Sequence, residues 1–139
     1  MAQTIDIAGA DAGRQDVLAA CAVITFGTGN DISGGATAVT KSCIAVPAGA
    51  IVVGGYLRVS DATSANVDIH VGDGDDDDRY AGNVDGAAVA TTALTLTGYK
   101  YTTDDTIDVM VDTASAAAAG QAELYVLYVI DGRAAFVQK

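Results

Sequence analysis

The chain has 139 residues, 16 of them Gly, and a formal net charge of −11; half its residues are hydrophobic. That length sets one domain as the expectation, and the apolar content excludes a disordered acidic tail. No run of about 18 apolar residues is present to form a membrane-spanning helix, and the acidity opposes binding to nucleic acid phosphates or anionic lipid.

Of the 18 acidic residues only Glu123 is Glu; the rest are Asp. Asp favours turns and caps, whereas the strong helix formers Glu, Lys and Arg are scarce. An all-β domain with Asp-rich loops is expected. Residues 1–16 combine weak periodicity with Gly9, Gly13 and three Asp, and read as an extended N-terminal arm ahead of a domain over 17–139. Met1 to Asp6 show no basic stretch leading into an apolar one, so synthesis in a reducing cytosol is expected.

Residues 17–26 form the first expected strand, apolar on both sides and ended by Gly27-Thr28-Gly29-Asn30. That glycine pair lacks the Lys-Ser/Thr ending of a phosphate loop and reads as a turn. The second strand covers 36–46 and stops at Pro47-Ala48-Gly49. The third covers 51–60, with Ile51, Val53, Leu57 and Val59 on one face and Val52, Tyr56, Arg58 and Ser60 on the other. Inside it, Gly54-Gly55 signals a bulge or a close backbone approach. Residues 66–71 alternate cleanly: Val67, Ile69 and Val71 inward, Asp68 and His70 toward water.

A charged loop, 73–79, follows, then strands over 84–89, 92–97 and 106–112, the last with Ile107, Val109 and Val111 inward and Asp108, Met110 and Asp112 outward. Residues 115–120 are small and flexible in composition. Residues 122–130 are the strongest strand, apolar on both faces, as in a central strand or one covered by a neighbouring subunit. Residues 133–139 read as a short tail. About eight strands with turn chemistry between them describe a jelly-roll-like antiparallel β-sandwich. Such a fold must manage its sheet edges, and strands apolar on both sides make self-association one way to do so.

Chemistry-bearing residues are few. Cys21 and Cys43 sit in apolar strands and are expected to be buried free thiols; with one His they cannot complete a four-ligand zinc site. Asp73-Gly74-Asp75-Asp76-Asp77-Asp78 groups five carboxylates. Asp73, Asp75 and Asp77 are candidate calcium ligands by alternation, completed by Asp68 or Asp85, although the helix–loop–helix calcium pattern fails at its sixth and twelfth positions. A solvated acidic loop is the plainer expectation. His70 is the only histidine and is expected to pair with an Asp on a strand surface. No nucleophile-elbow motif accompanies it, so no catalytic residues and no cofactor are assigned, and the chain is not expected to be an enzyme. Tyr99 and Tyr101 flank Lys100 on one side of an extended segment, placed either to pack at a sheet edge or to anchor a protein interface. Tyr125, Leu127 and Val129 are further interface candidates, or else the opposite face of their strand.

Four stretches taken together carry a resemblance. They are Pro47-Ala48-Gly49-Ala50-Ile51-Val52-Val53-Gly54-Gly55-Tyr56-Leu57, Asp77-Asp78-Arg79-Tyr80-Ala81, Thr97-Gly98-Tyr99-Lys100-Tyr101-Thr102 and Tyr128-Val129-Ile130-Asp131-Gly132-Arg133. Their order and spacing, across roughly residues 45 to 135, resemble the capsid decoration (cement) proteins of tailed bacteriophage heads. The resemblance implies a virion structural protein, synthesised in the host cytoplasm, that binds the major capsid protein on the outer capsid surface as a homotrimer and stabilises the shell. It implies no catalytic residues. The competing reading is a calcium- or glycan-binding β-sandwich module of a tail fibre or cell-surface protein, which would use the Asp73–Asp78 loop. A small hydrolase built on His70 is the third.

Overall fold

A computed structural model describes residues 16–32, 38–64, 67–112 and 119–131. The arm expected over 1–16 and the tail expected over 133–139 thus lie outside the described residues, apart from Asp16. Eight strands are present: β1 Leu18–Thr25, β2 Val39–Val46, β3 Ala50–Asp61, β4 Asp68–Gly72, β5 Ala81–Asp85, β6 Ala90–Ala93, β7 Asp105–Val111 and β8 Gln121–Ile130. They form two four-stranded antiparallel sheets, β1-β8-β3-β6 and β2-β7-β4-β5. The pairs β1·β8, β2·β7, β3·β6 and β4·β5 are those of one long ribbon folded at its middle and rolled up. The architecture is the expected jelly-roll sandwich.

Alternation explains the core. Ile24, Leu57, Val59, Leu124 and Val126 from the first sheet face Ile44, Val46, Ile69, Val71, Ile107, Val109 and Val111 from the second. Each large apolar side chain so buried contributes about 1.5–3 kcal/mol. Loop residues close the ends of the sandwich. Phe26 bridges to Ile32, the Gly27 amide donates to the Ile32 carbonyl at 3.0 Å, and both side chains are buried.

The third strand departs from its expected faces. A bulge between Val52 and Gly54 resets the register against β8, so Val52 turns into the core and Val53 out to solvent. The expected grouping of Ile51 and Val53 with Leu57 and Val59 therefore fails on the N-terminal side of the bulge. The glycine pair is where the strand can deform. Gly55 has φ +137°, and a Cβ there would run into the Tyr125 carbonyl oxygen.

Two weak strands are displaced from expectation. β5 begins at Ala81, because the buried Tyr80 immediately before it donates its amide to the Val71 carbonyl at 2.9 Å. It ends where the Asp85 carboxylate accepts the Ala87 amide at 2.8 Å and turns the chain. β6 occupies Ala90–Ala93, not 92–97. Leu94 is buried, but Leu96 is exposed. Beyond β6 the chain leaves the ladder, and Thr95 donates to the Tyr80 carbonyl of the other layer at 2.8 Å.

Candidate functional site

Two surfaces stand out, one on each layer. The first is the outer face of β1-β8-β3-β6. Odd-numbered residues of β1 and β8 point away from the core, so Ala19, Cys21 and Val23 lie beside Leu127, Tyr125 and Glu123. On the other side of β8, Tyr56 is opposite Tyr125, Ile51 opposite Val129, and Arg58 opposite Glu123. Five of the seven large hydrophobics exposed among the described residues cluster at this face: Val17, Val23, Val53, Tyr56 and Leu127, at 38–55% exposure. Tyr56 and Tyr125 stack with ring centroids 4.8 Å apart.

At the end of β3 this face carries Asp61, opposite Gln121; its other charges along β1, β8 and β3 are Arg58 and Glu123. They meet at 3.2 Å, and the Tyr125 hydroxyl donates to the same carboxylate at 3.2 Å. Neighbouring Cys21 and Glu123 push the Tyr125 hydroxyl up to about 12. Cys21, expected to be buried, is exposed here because its register position points outward; Cys43 is half-buried, and both thiols are free. Burial pushes the Cys43 thiol up to about 11.

The second surface is the acidic loop between β4 and β5. Its first carboxylate is not available to solvent. Asp73 Oδ2 accepts from Arg79 Nε at 2.5 Å and from the Tyr101 hydroxyl at 3.0 Å. Asp73 Oδ1 accepts from Arg79 Nη2 at 3.2 Å and from the amides of Asp75 and Asp76 at 3.1 and 3.0 Å. The Tyr80 hydroxyl donates onward to Tyr101 at 3.0 Å. The Arg79 guanidinium lies 3.7 Å from the centre of the Tyr99 ring, which in turn meets Tyr101 edge-on.

Burial alone would raise the Asp73 carboxyl. Arg79, the Tyr101 hydroxyl and the Asp75 amide outweigh it and hold the group below the ordinary carboxylate range. Burial raises both tyrosine hydroxyls, with the Tyr80 contact adding to the effect at Tyr101. Gly72 permits the tight turn: a Cβ there would collide with the carbonyl oxygen of Asp76.

The expected site residues are thus distributed unevenly. Tyr125, Leu127 and Val129 lie on the outer sheet face, joined by Val17, Val23, Val53 and Tyr56, which the sequence reading did not single out. Tyr101, an interface candidate, is 1% exposed and belongs to the interior; Tyr99 is half-buried beneath Arg79. Of the calcium candidates, Asp73 is occupied internally, while Asp75 and Asp77 are exposed. The carboxylates that approach one another are those of Asp76, Asp77 and Asp78, within 4.8 Å. His70 pairs with Asp112 at 3.2 Å, as expected. It is buried rather than wet, flanked by β5 and β7 on the central strand β4.

No protein-family model and no curated protein matches the chain. Solved structures do. A chain of the capsid asymmetric unit of cyanophage Pam1 is 21% identical, with TM-score 0.70, over 92% of this chain and 94% of that one. A chain of the acid-stable capsid of Helicobacter pylori bacteriophage KHP30 is 20% identical, with TM-score 0.58, over 84% and 93%. A chain of the capsid of Ralstonia phage GP4 is 23% identical, with TM-score 0.55, over 94% and 90%. At these identities the likeness is one of fold.

Proposed function

We propose that the chain is a structural, non-enzymatic protein of a tailed-bacteriophage virion. In this reading it is a capsid decoration (cement) protein, a homotrimer that sits on the outer surface of the shell and binds the major capsid protein. The observation that carries the reading is the two-sided distribution of chemistry on one rigid sandwich. A mostly apolar sheet face, on which Arg58 and Glu123 neutralise each other, lies on one layer. The other layer carries an acidic loop locked by Asp73, Arg79 and Tyr101. The first suits a protein partner; the second suits solvent and keeps particles apart by charge. Three capsid chains sharing the fold over 84–94% of this chain support the same conclusion.

The physical role needs no chemistry. A protein that binds only the assembled shell stabilises that shell by mass action. Weak contacts repeated by symmetry become strong together, because each bound contact raises the effective concentration of the next. Residues 1–16 are the proposed arm for shell contact. The test is to add purified full-length protein to shells that lack it and sediment the mixture. Saturable co-sedimentation and a raised shell melting temperature are expected. Removing residues 1–16 should abolish binding without lowering the melting temperature of the free protein. Absence of co-sedimentation with the intact chain would refute the reading.

A further inference from the structure

We infer that the outer face of β1-β8-β3-β6, together with the outer edge of β1 ahead of Thr25, is the surface through which copies of this chain meet one another. The inference rests on the proposed capsid reading for its setting, but its own warrant is the surface. The occupant is a second copy, and three features select it.

The first is charge. The chain carries −11 overall, so two copies repel at most approaches, and that repulsion reaches about 8 Å at physiological salt. Along β1, β8 and β3, the outer face holds the Arg58–Glu123 pair, which cancels, and beyond it Asp61, opposite Gln121 at the end of β3. It is the approach at which like-charged copies oppose each other least.

The second is extent. Four strands spaced by about 4.8 Å, over the eight residues of β1, outline roughly 20 by 27 Å, or about 500 Å². That is as large as the apolar patches monomers ordinarily expose. Two such faces together bury about 1,000 Å², the lower bound for a specific protein interface.

The third is the edge. Proteins protect edge strands with charges, bulges or short length. β2 carries Lys41, paired with Asp31 at 3.2 Å, and a bulge between Ser42 and Ile44. β5 and β6 have five and four residues. β1 has eight residues, Leu-Ala-Ala-Cys-Ala-Val-Ile-Thr, with no charge of its own and an unbroken register; among the described residues its outer margin is capped at Thr25 alone, by Asp31 and Ile32. Its outer margin abuts the apolar face, so one partner can cover both.

The experiment uses the full-length protein in sedimentation-velocity ultracentrifugation over a hundredfold concentration range. Val23→Lys and Leu127→Lys place charges at exposed positions and leave the fold intact by circular dichroism. Each should weaken self-association by about 100-fold or more, whereas Thr40→Lys, exposed on the other sheet, should leave it unchanged. Independently of any substitution, alkylation of Cys21 by iodoacetamide should slow at least about tenfold between dilute and associated protein. A chain that sediments singly at every concentration, or associates equally well with both lysines in place, would overturn the inference. A solitary chain whose lysine variants lose shell binding would assign the face to the shell, overturning this inference and the homotrimer while leaving the shell-binding role standing. Self-association through this face without any shell binding would do the opposite.

Discussion

Replacing Asp73 by Ala separates one carboxylate from its four acidic neighbours in the 73–78 loop. Asp73 accepts five hydrogen bonds, from Arg79 twice, Tyr101, and the amides of Asp75 and Asp76. Its side chain is 1% exposed and that of Arg79 13%. Removing one member of a buried ion pair costs about 3–5 kcal/mol. Arg79 keeps the Tyr99 ring and a longer contact to Asp76 at 3.8 Å, so the lower figure applies. The Tyr101 hydroxyl, left without its acceptor in the interior, adds about 1 kcal/mol. The sum, about 4 kcal/mol, corresponds to a fall of about 15 °C in melting temperature for a chain of this length. Asp75→Ala and Asp77→Ala, at exposed positions, should stay within about 0.5 kcal/mol. Thermal and urea unfolding followed by circular dichroism, at one fixed protein concentration, reads all three. Equal effects at the three positions, or a loss below about 1 kcal/mol at Asp73, would refute the network as the lock of this loop.

Further outcomes follow from the same geometry. Asp73 has a depressed carboxyl in the folded protein. Its contribution is therefore complete above the unfolded value near 3.9 and is lost as pH falls through the folded value. Asp73→Asn should flatten the acid limb of a melting-temperature profile below about pH 4, and an unchanged limb would contradict this. Gly55→Ala forces a side chain against the Tyr125 carbonyl at a positive φ, and should cost about 2–4 kcal/mol in urea unfolding; a neutral result would remove the bulge from the account. Adding millimolar calcium or a chelator should leave the melting temperature unchanged, since Asp73 is occupied by Arg79; a saturable rise with calcium would turn Asp76, Asp77 and Asp78 into ligands.

The strands were legible where alternation was strong. The 106–112 segment places Ile107, Val109 and Val111 inward as expected, because a half-buried strand repeats every two residues; Asp108, expected outward, is buried as well. β3 shows why the rest was hidden. Its glycine pair announces a bulge, but which side of the bulge changes phase depends on the register with β8, 65 residues away in sequence at Arg58–Glu123. β5 was displaced for a similar reason: Tyr80 is fixed by Tyr101, a contact no local pattern encodes. The apolar face was half visible. Residues 17–26 and 122–130 read as apolar on both sides, yet that they are neighbours in one sheet, with Tyr56 and Val53 alongside, follows from the rolled-up connectivity. The Asp73–Arg79–Tyr101 cluster was visible only as its parts, an acidic run and a Tyr-Lys-Tyr segment.

Image reconstruction of intact particles carrying this chain is the most direct measurement of the account. It should show copies grouped on the exterior of the shell, with Val23, Tyr56 and Leu127 covered by a sister copy and Asp76, Asp77 and Asp78 facing solvent. Copies inside the shell, or isolated ones with that sheet face bare, would contradict it.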